Sequence, residues 1–216
     1  MRPVPDYPPE PWRLAAQAYL SVWRVPVRAL PRVSDVVTPL TPGGRALVVT
    51  AWIDYTPPGQ MRYHELLSTV AVRRPHGAGI AGSITEIWVD SAASRAGGRE
   101  LWGIPKELAT FALRFGPTVT ATARVDGPDG NDSPVATATF TPRRLGTPPV
   151  RTGFSLVQEV AGAPYVSPVR ARMRIRPASA RWSVDPHGPL GYLAGHRPVL
   201  SAHAADARLL FGARGR

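Results

Sequence analysis

Apolar residues in this chain come in short runs, often at every second position, and proline or glycine interrupts them before they lengthen. Gln17 to Val25 mixes aromatic and β-branched residues, and Ala46 to Tyr55 is almost continuously apolar. A turn at Pro57-Pro58-Gly59 leads into Tyr63 to Arg73, and Ser83 to Asp90 follows the same habit. These runs read as strands, because β-branched and aromatic residues bounded by turn formers suit a pleated, half-buried surface. Thr118 to Val125 and Val135 to Phe140 alternate on either side of Asp-Gly-Pro-Asp-Gly-Asn-Asp-Ser-Pro, a dense turn signal that predicts a hairpin. Val169 to Arg176 alternates strictly. Arg170, Arg172, Arg174 and Arg176 fall on one face and Ala171, Met173 and Ile175 on the other, as in a strand with one solvated side. Ala180 to Val184 and Val199 to Phe211 complete the strand-like pieces. Helical signals are few. Asp90 to Glu100 can open on an Asp or Ser cap and stop at the Gly97-Gly98 pair, and Pro105 to Phe111 predicts a turn. The pattern predicts one β-rich α+β domain over residues 1–216 with a sheet or barrel core, a loose N-terminal segment at 1–11 and a loose tail at 213–216.

Composition narrows the function classes. No apolar run approaches the roughly 20 residues that cross a bilayer as a helix, and the first residues lack the apolar stretch of a signal peptide, so a cytoplasmic protein with no membrane partner is expected. Cysteine is absent, which removes disulfides and thiolate metal sites. The histidines at 64, 76, 187, 196 and 203 have no metal-ligand spacing, so no metal is expected. Gly77, Gly79 and Gly82 match G-x-G-x-x-G, but a strand-like segment follows where a dinucleotide site needs a helix, and no cofactor is expected. Net charge is +11. Its arginines are scattered apart from the 170–176 cluster, and neither a basic helix nor an aromatic RNA-binding signature accompanies them, so no nucleic-acid partner is expected. A basic surface also suits an acidic protein partner such as an acyl carrier protein.

Of the 26 basic residues only Lys106 is a lysine. Arginine can replace a surface lysine as a charge, but it cannot lose its proton near neutrality and act as an amine nucleophile. A single retained lysine is therefore a candidate for imine chemistry with a carbonyl. It lies in Gly-Arg-Glu-Leu-Trp-Gly-Ile-Pro-Lys-Glu-Leu-Ala, residues 98–109. This stretch resembles the signature of the acetoacetate decarboxylase family, where a Gly-Arg-Glu turn precedes a Pro-Lys pair and the lysine forms a Schiff base with the substrate ketone. Trp88-Val89-Asp90 resembles the family's aromatic-x-Asp segment, Tyr63-His64-Glu65 its Tyr-x-Glu, and Ala18 to Arg24 the strand whose arginine meets the substrate carboxylate.

The resemblance implies an acetoacetate decarboxylase-like fold, a sheet or cone-shaped barrel with few short helices, in a homo-oligomer. It implies Lys106 and Glu65 as catalytic residues and Arg24, Tyr63, Trp102 and Trp88 as substrate-binding residues. The implied activity is decarboxylation of a small, acetoacetate-like β-keto acid through a lysine iminium. Aldol or dehydration chemistry on pyruvate-like keto acids and a non-catalytic small-ligand module are the alternatives. Two positions depart from the pattern. Glu107 stands where active decarboxylases carry a second lysine, and Thr50 falls where a further glutamate is expected. An ordinary lysine is neutral in only about one molecule in 2,500 at pH 7, and lowering its pKa by about 3 units corresponds to about 4 kcal/mol. We expect burial by Trp102 and Ile104 to supply that shift, with Glu107 pointing away along the strand.

Overall fold

The computed structural model describes residues 7–75, 79–126 and 132–213. Residues 1–6, 76–78, 127–131 and 214–216 lie outside the described residues; they include His76, Gly77 and most of the turn expected at 126–134. Within them the chain forms eleven strands and one α-helix. In order these are β1 (Trp12–Pro26), β2 (Arg45–Tyr55), β3 (Tyr63–Arg73), β4 (Ile80–Val89), α1 (Ala92–Trp102), β5 (Lys106–Leu108), β6 (Thr110–Arg114), β7 (Val119–Asp126), β8 (Asp132–Pro142), β9 (Val150–Val160), β10 (Ala163–Val184) and β11 (Leu200–Phe211).

The strands close on themselves. Running through β11-β1-β2-β3-β4-β9-β10, the sheet returns to β11, because β10 pairs with β11 as well as with β9. All neighbours in this ring are antiparallel except β4 and β9, which meet in parallel at Gly82 and Leu156. Closure leaves a barrel wall whose side chains alternate between inside and outside. In β1, Trp12, Leu14, Ala16, Ala18 and Leu20 face the interior, while Tyr19, Trp23 and Val25 face outward.

The outward face is not left to water. β10 continues past Pro177, leaves β11, and pairs with β8 from Ala178 onward. β8, β7 and β6 extend it into a second sheet. This sheet covers the outer side of β1, β2 and β3 and builds a core from Trp23, Trp52, Trp88, Phe140 and their neighbours. Trp182 packs edge-on against Trp23 at 5.6 Å between ring centres. The two expected pieces at 169–176 and 180–184 are thus one 22-residue strand. Pro177 sits at the change of partner, where a missing N–H costs the ladder least. Arg170, Arg172 and Arg174 are exposed along it, and Ala171 opposite them is buried.

Two expectations are corrected here. The helix does not stop at the Gly97-Gly98 pair but runs on to Trp102, ending at Gly103 in the left-handed region (φ 64°). Pro105 to Phe111 is not a turn but two short strands, β5 and the start of β6.

Candidate active site

Lys106 opens β5, which lies parallel to β4 with Lys106 opposite Ile87. Strand β5 is three residues long and pairs on one side only, so its position depends on what holds it from below. That support is α1. Ser91 caps the helix, its hydroxyl accepting from the Ser94 amide at 3.1 Å. Four residues on, Ser94 and Gly98 share one face, as i and i+4 positions must. Both meet the lysine. The Lys106 amine donates to Ser94 Oγ at 2.9 Å. A Cβ on Gly98 would lie 2.7 Å from Lys106 Cδ and 2.8 Å from Cε, so the bare glycine backbone is the bed on which the stem lies. Neighbouring Gly97 is bare for a different reason: its Cβ would sit 2.6 Å from the Trp12 ring.

Arg99, the next residue of the Gly-Arg-Glu stretch, fixes the lysine's backbone. Its Nε donates to the Lys106 carbonyl at 2.7 Å, and its terminal Nη2 pairs with the Glu107 carboxylate. Glu107 therefore points outward and is exposed, as strand alternation predicts. Glu100 accepts from the Tyr7 hydroxyl at 2.7 Å at the surface.

The amine points into the barrel. Lys106 Nζ lies 2.7 Å from Glu65 Oε2, with both side chains nearly inaccessible, at 5% and 4%. Tyr63 Oη is 3.5 Å from the amine, and the Tyr63 ring centre 5.1 Å away. Tyr55 donates to the other Glu65 oxygen at 3.2 Å. Burial pushes the Tyr63 hydroxyl up to about 12 against the opposing influence of Lys106, and burial together with Glu65 raises Tyr55 further, so both remain donors at neutral pH. For Lys106, burial works to lower the pKa, but the Glu65 charge, with hydrogen bonds to Glu65 and Tyr63, outweighs it and raises the net value. This corrects the expectation that desolvation by Trp102 and Ile104 would lower it: both residues do line the cavity, but Glu65 holds the resting amine protonated.

The cavity occupies about 530 Å³ of the barrel interior. Glu65, Tyr63, Trp102 and Lys106 all line it. Trp102 forms part of the wall with Trp12 and Phe211, at 4.7 and 4.4 Å between ring centres, and its indole donates to Glu10 at 3.0 Å. Two expected residues are elsewhere. Trp88 is buried in the outer core, on the opposite face of β4. Arg24 is exposed, four residues along β1 from Leu20, the last residue of that strand to line the cavity. Thr50 also faces outward, where its hydroxyl accepts from Trp23 Nε1 at 3.0 Å. The residues of β2 that line the cavity are Val49, Ala51, Ile53 and Tyr55, so Thr50 falls between two of them. Among the described residues, Lys106 and Glu65 carry the only charges in the lining. Ser94 and Tyr55 were missed in the sequence. Ser94 was findable, since it lies four residues before Gly98 on the predicted helix.

The sequence model described as acetoacetate decarboxylase matches residues 2–183. The chain belongs to the acetoacetate decarboxylase family. Its fold agrees. An acetoacetate decarboxylase from Legionella pneumophila superposes with a TM-score of 0.69 at 20% identity, over 97% of this chain and 88% of the other. The enduracididine biosynthesis enzyme MppR, complexed with pyruvate, gives 0.63 at 21% identity, over 98% and 91%. An acetoacetate decarboxylase-like enzyme from Sphingomonas wittichii gives 0.61 at 16% identity, over 93% and 90%. Among curated protein sequences, none matches this one.

Proposed function

We propose that this protein is a carbon–carbon lyase that binds a keto acid as an iminium on Lys106 and decarboxylates it. The observation that carries the reading is the buried Lys106–Glu65 pair at 2.7 Å, at one end of a cavity large enough for an organic substrate. Family membership supports the same chemistry.

The pair solves the problem of a lysine that is charged at rest. Moving one proton along the hydrogen bond gives a neutral amine and a neutral carboxyl, both of which an apolar surrounding tolerates better than ions. The free amine adds to the substrate carbonyl, and loss of water gives the iminium. Glu65 returns the proton that makes hydroxide a leaving group. The Tyr63 and Ser94 oxygens hold the nitrogen in place. The iminium then accepts the electron pair of the breaking carbon–carboxylate bond, carbon dioxide leaves, and an enamine remains. Protonation at carbon and hydrolysis return product and amine. Bond cleavage converts a zwitterion, iminium plus carboxylate, into two neutral species. A low-dielectric cavity whose described lining holds no further cation favours that collapse over the charged state before it.

Borohydride reduction in the presence of a keto acid, followed by intact-mass measurement, tests this reading. With one lysine in the chain the site assigns itself, the N-terminal amine being the rival. We expect one adduct, lost in Lys106→Arg. Folded protein that gives none with any carbonyl compound would overturn the proposal.

A further inference from the structure

We infer that the substrate carries a long apolar tail: a keto acid whose hydrocarbon chain runs from Lys106 down the barrel, rather than a compact acid such as acetoacetate. This rests on Lys106 being the point of attachment and concerns what fills the rest of the cavity.

Volume is the first observation. At 530 Å³ the interior would hold about 18 waters at roughly 30 Å³ each, whereas a small β-keto acid of about seven heavy atoms fills less than half of it. Shape is the second. The reactive pair sits at one end, near Trp12 and Trp102, and the lining continues along β3 from Glu65 to Ala71. Those six residue-to-residue steps rise about 20 Å along the strand, or about 15 Å along a barrel axis at ordinary strand tilt.

Chemistry of the wall is the third. Beyond the polar cluster at the Lys106 end, Leu20, Val49, Ala51, Leu67, Ile84 and Ala204 set its character, with Thr69 and Ser155 the remaining polar side chains. The predicted carboxylate anchor, Arg24, is outside, and no second cation takes its place in the described lining. A compact anionic acid would give up its hydration for a cavity that offers it one already paired ammonium. An apolar chain gives up nothing. At the far end Ile80 and Phe154 line the cavity yet are 65% and 47% exposed, so the entrance is itself apolar.

A homologous ligand series on the wild-type protein tests the inference. Acetone, 2-heptanone and 2-undecanone, and separately acetoacetate and 3-oxodecanoate, are trapped with borohydride at matched concentrations and read by intact mass. Adduct yield at sub-saturating ligand should rise about fourfold per added methylene until the cavity is full. Equal or better trapping of the short members would overturn it. Should no ligand trap at all, the lysine reading fails, and the tail is decided without it. In Lys106→Met/Glu65→Gln, which removes both buried charges together, 2-undecanone should still quench the fluorescence of Trp12 and Trp102, and acetone should not. Absence of 2-undecanone binding there would overturn the inference.

Discussion

Gly98→Ala separates what the helix contributes to stability from what it contributes to chemistry. The added methyl would sit 2.7 Å from Lys106 Cδ and 2.8 Å from Cε. Carbon atoms pack at about 3.5–4.0 Å, so the stem must retreat by about 1 Å. Its far end cannot follow freely, because the amine is placed by Glu65 at 2.7 Å and Ser94 at 2.9 Å. A displacement of about 1 Å at a reacting group costs about a hundredfold in rate. The fold should tolerate the change. Gly98 lies within α1, where alanine is favoured over glycine by about 1 kcal/mol, and the methyl meets a flexible side chain rather than backbone. The expected result is a Tm equal to or above the parent with the rate of imine trapping down about a hundredfold. Gly97→Ala is the control of opposite sign. There the methyl meets the rings of Trp12 and Tyr7 at 2.6 and 2.8 Å, which cannot yield as a lysine stem can, and a loss of about 1–3 kcal/mol is expected. A Gly98→Ala protein that traps carbonyls within twofold of the parent would refute the idea that the glycine exists to seat the lysine.

Lys106→Met should lower Tm by about 6–20 °C in thermal unfolding, since breaking a buried pair costs about 3–5 kcal/mol and each kcal/mol moves a domain of this size by about 2–4 °C. Adding Glu65→Gln should restore most of the loss, and a double variant no more stable than the single would mean that Glu65 is not stranded. Arg99→Ala removes the donor to the Lys106 carbonyl and the partner of Glu107. As Arg99 is 44% exposed we expect a small Tm loss, about 2–4 °C, but a clear slowing of trapping. Burial raises the pKa of Glu86 despite hydrogen bonds from Thr85 and Tyr192. The folded state therefore binds this proton more tightly, and the stabilising contribution present below about pH 4.3 is lost as pH rises through the folded value. Glu86→Gln should accordingly become more stable than the parent as pH rises from 4 to 8. A constant Tm difference across that range would count against it.

The elements legible in the sequence are those with long apolar or alternating runs between turn formers. β3 spans the predicted residues, and β2, β7 and β11 lie within a residue or two of expectation. β9 was not legible. Its first half, Val150 to Phe154, is exposed, and only Leu156 to Gln158 are buried, so it carries too few apolar positions to show a period. The run of α1 through Gly97-Gly98 was misread because glycine is ambiguous in sequence. It ends helices when the backbone must turn left-handed, as Gly103 does, and it sits inside them when a neighbour comes too close for a Cβ, as Trp12 and Lys106 do here.

The site divides in two. Lys106, Glu65, Tyr63 and Trp102, which the resemblance to the family's Pro-Lys and Tyr-x-Glu motifs implies, all line the cavity. Arg24, Trp88 and Thr50 come from the same resemblance, and none of them lines the cavity: Arg24 lies past its end, and Trp88 and Thr50 lie on the outer face. On a strand a shift of one residue changes the face, and in a closed barrel that change moves a side chain from the cavity to the outer core. Thr50 shows the consequence. One position either way, Val49 or Ala51, would put a glutamate beside the substrate, yet Thr50 itself bonds Trp23 beneath the second sheet. On the function proposed above, the departure that bears on chemistry is thus two small aliphatic side chains in a wall with one ion pair, and this wall, more than the change at Glu107 on the exposed side of β5, would set which carbonyl compounds reach Lys106.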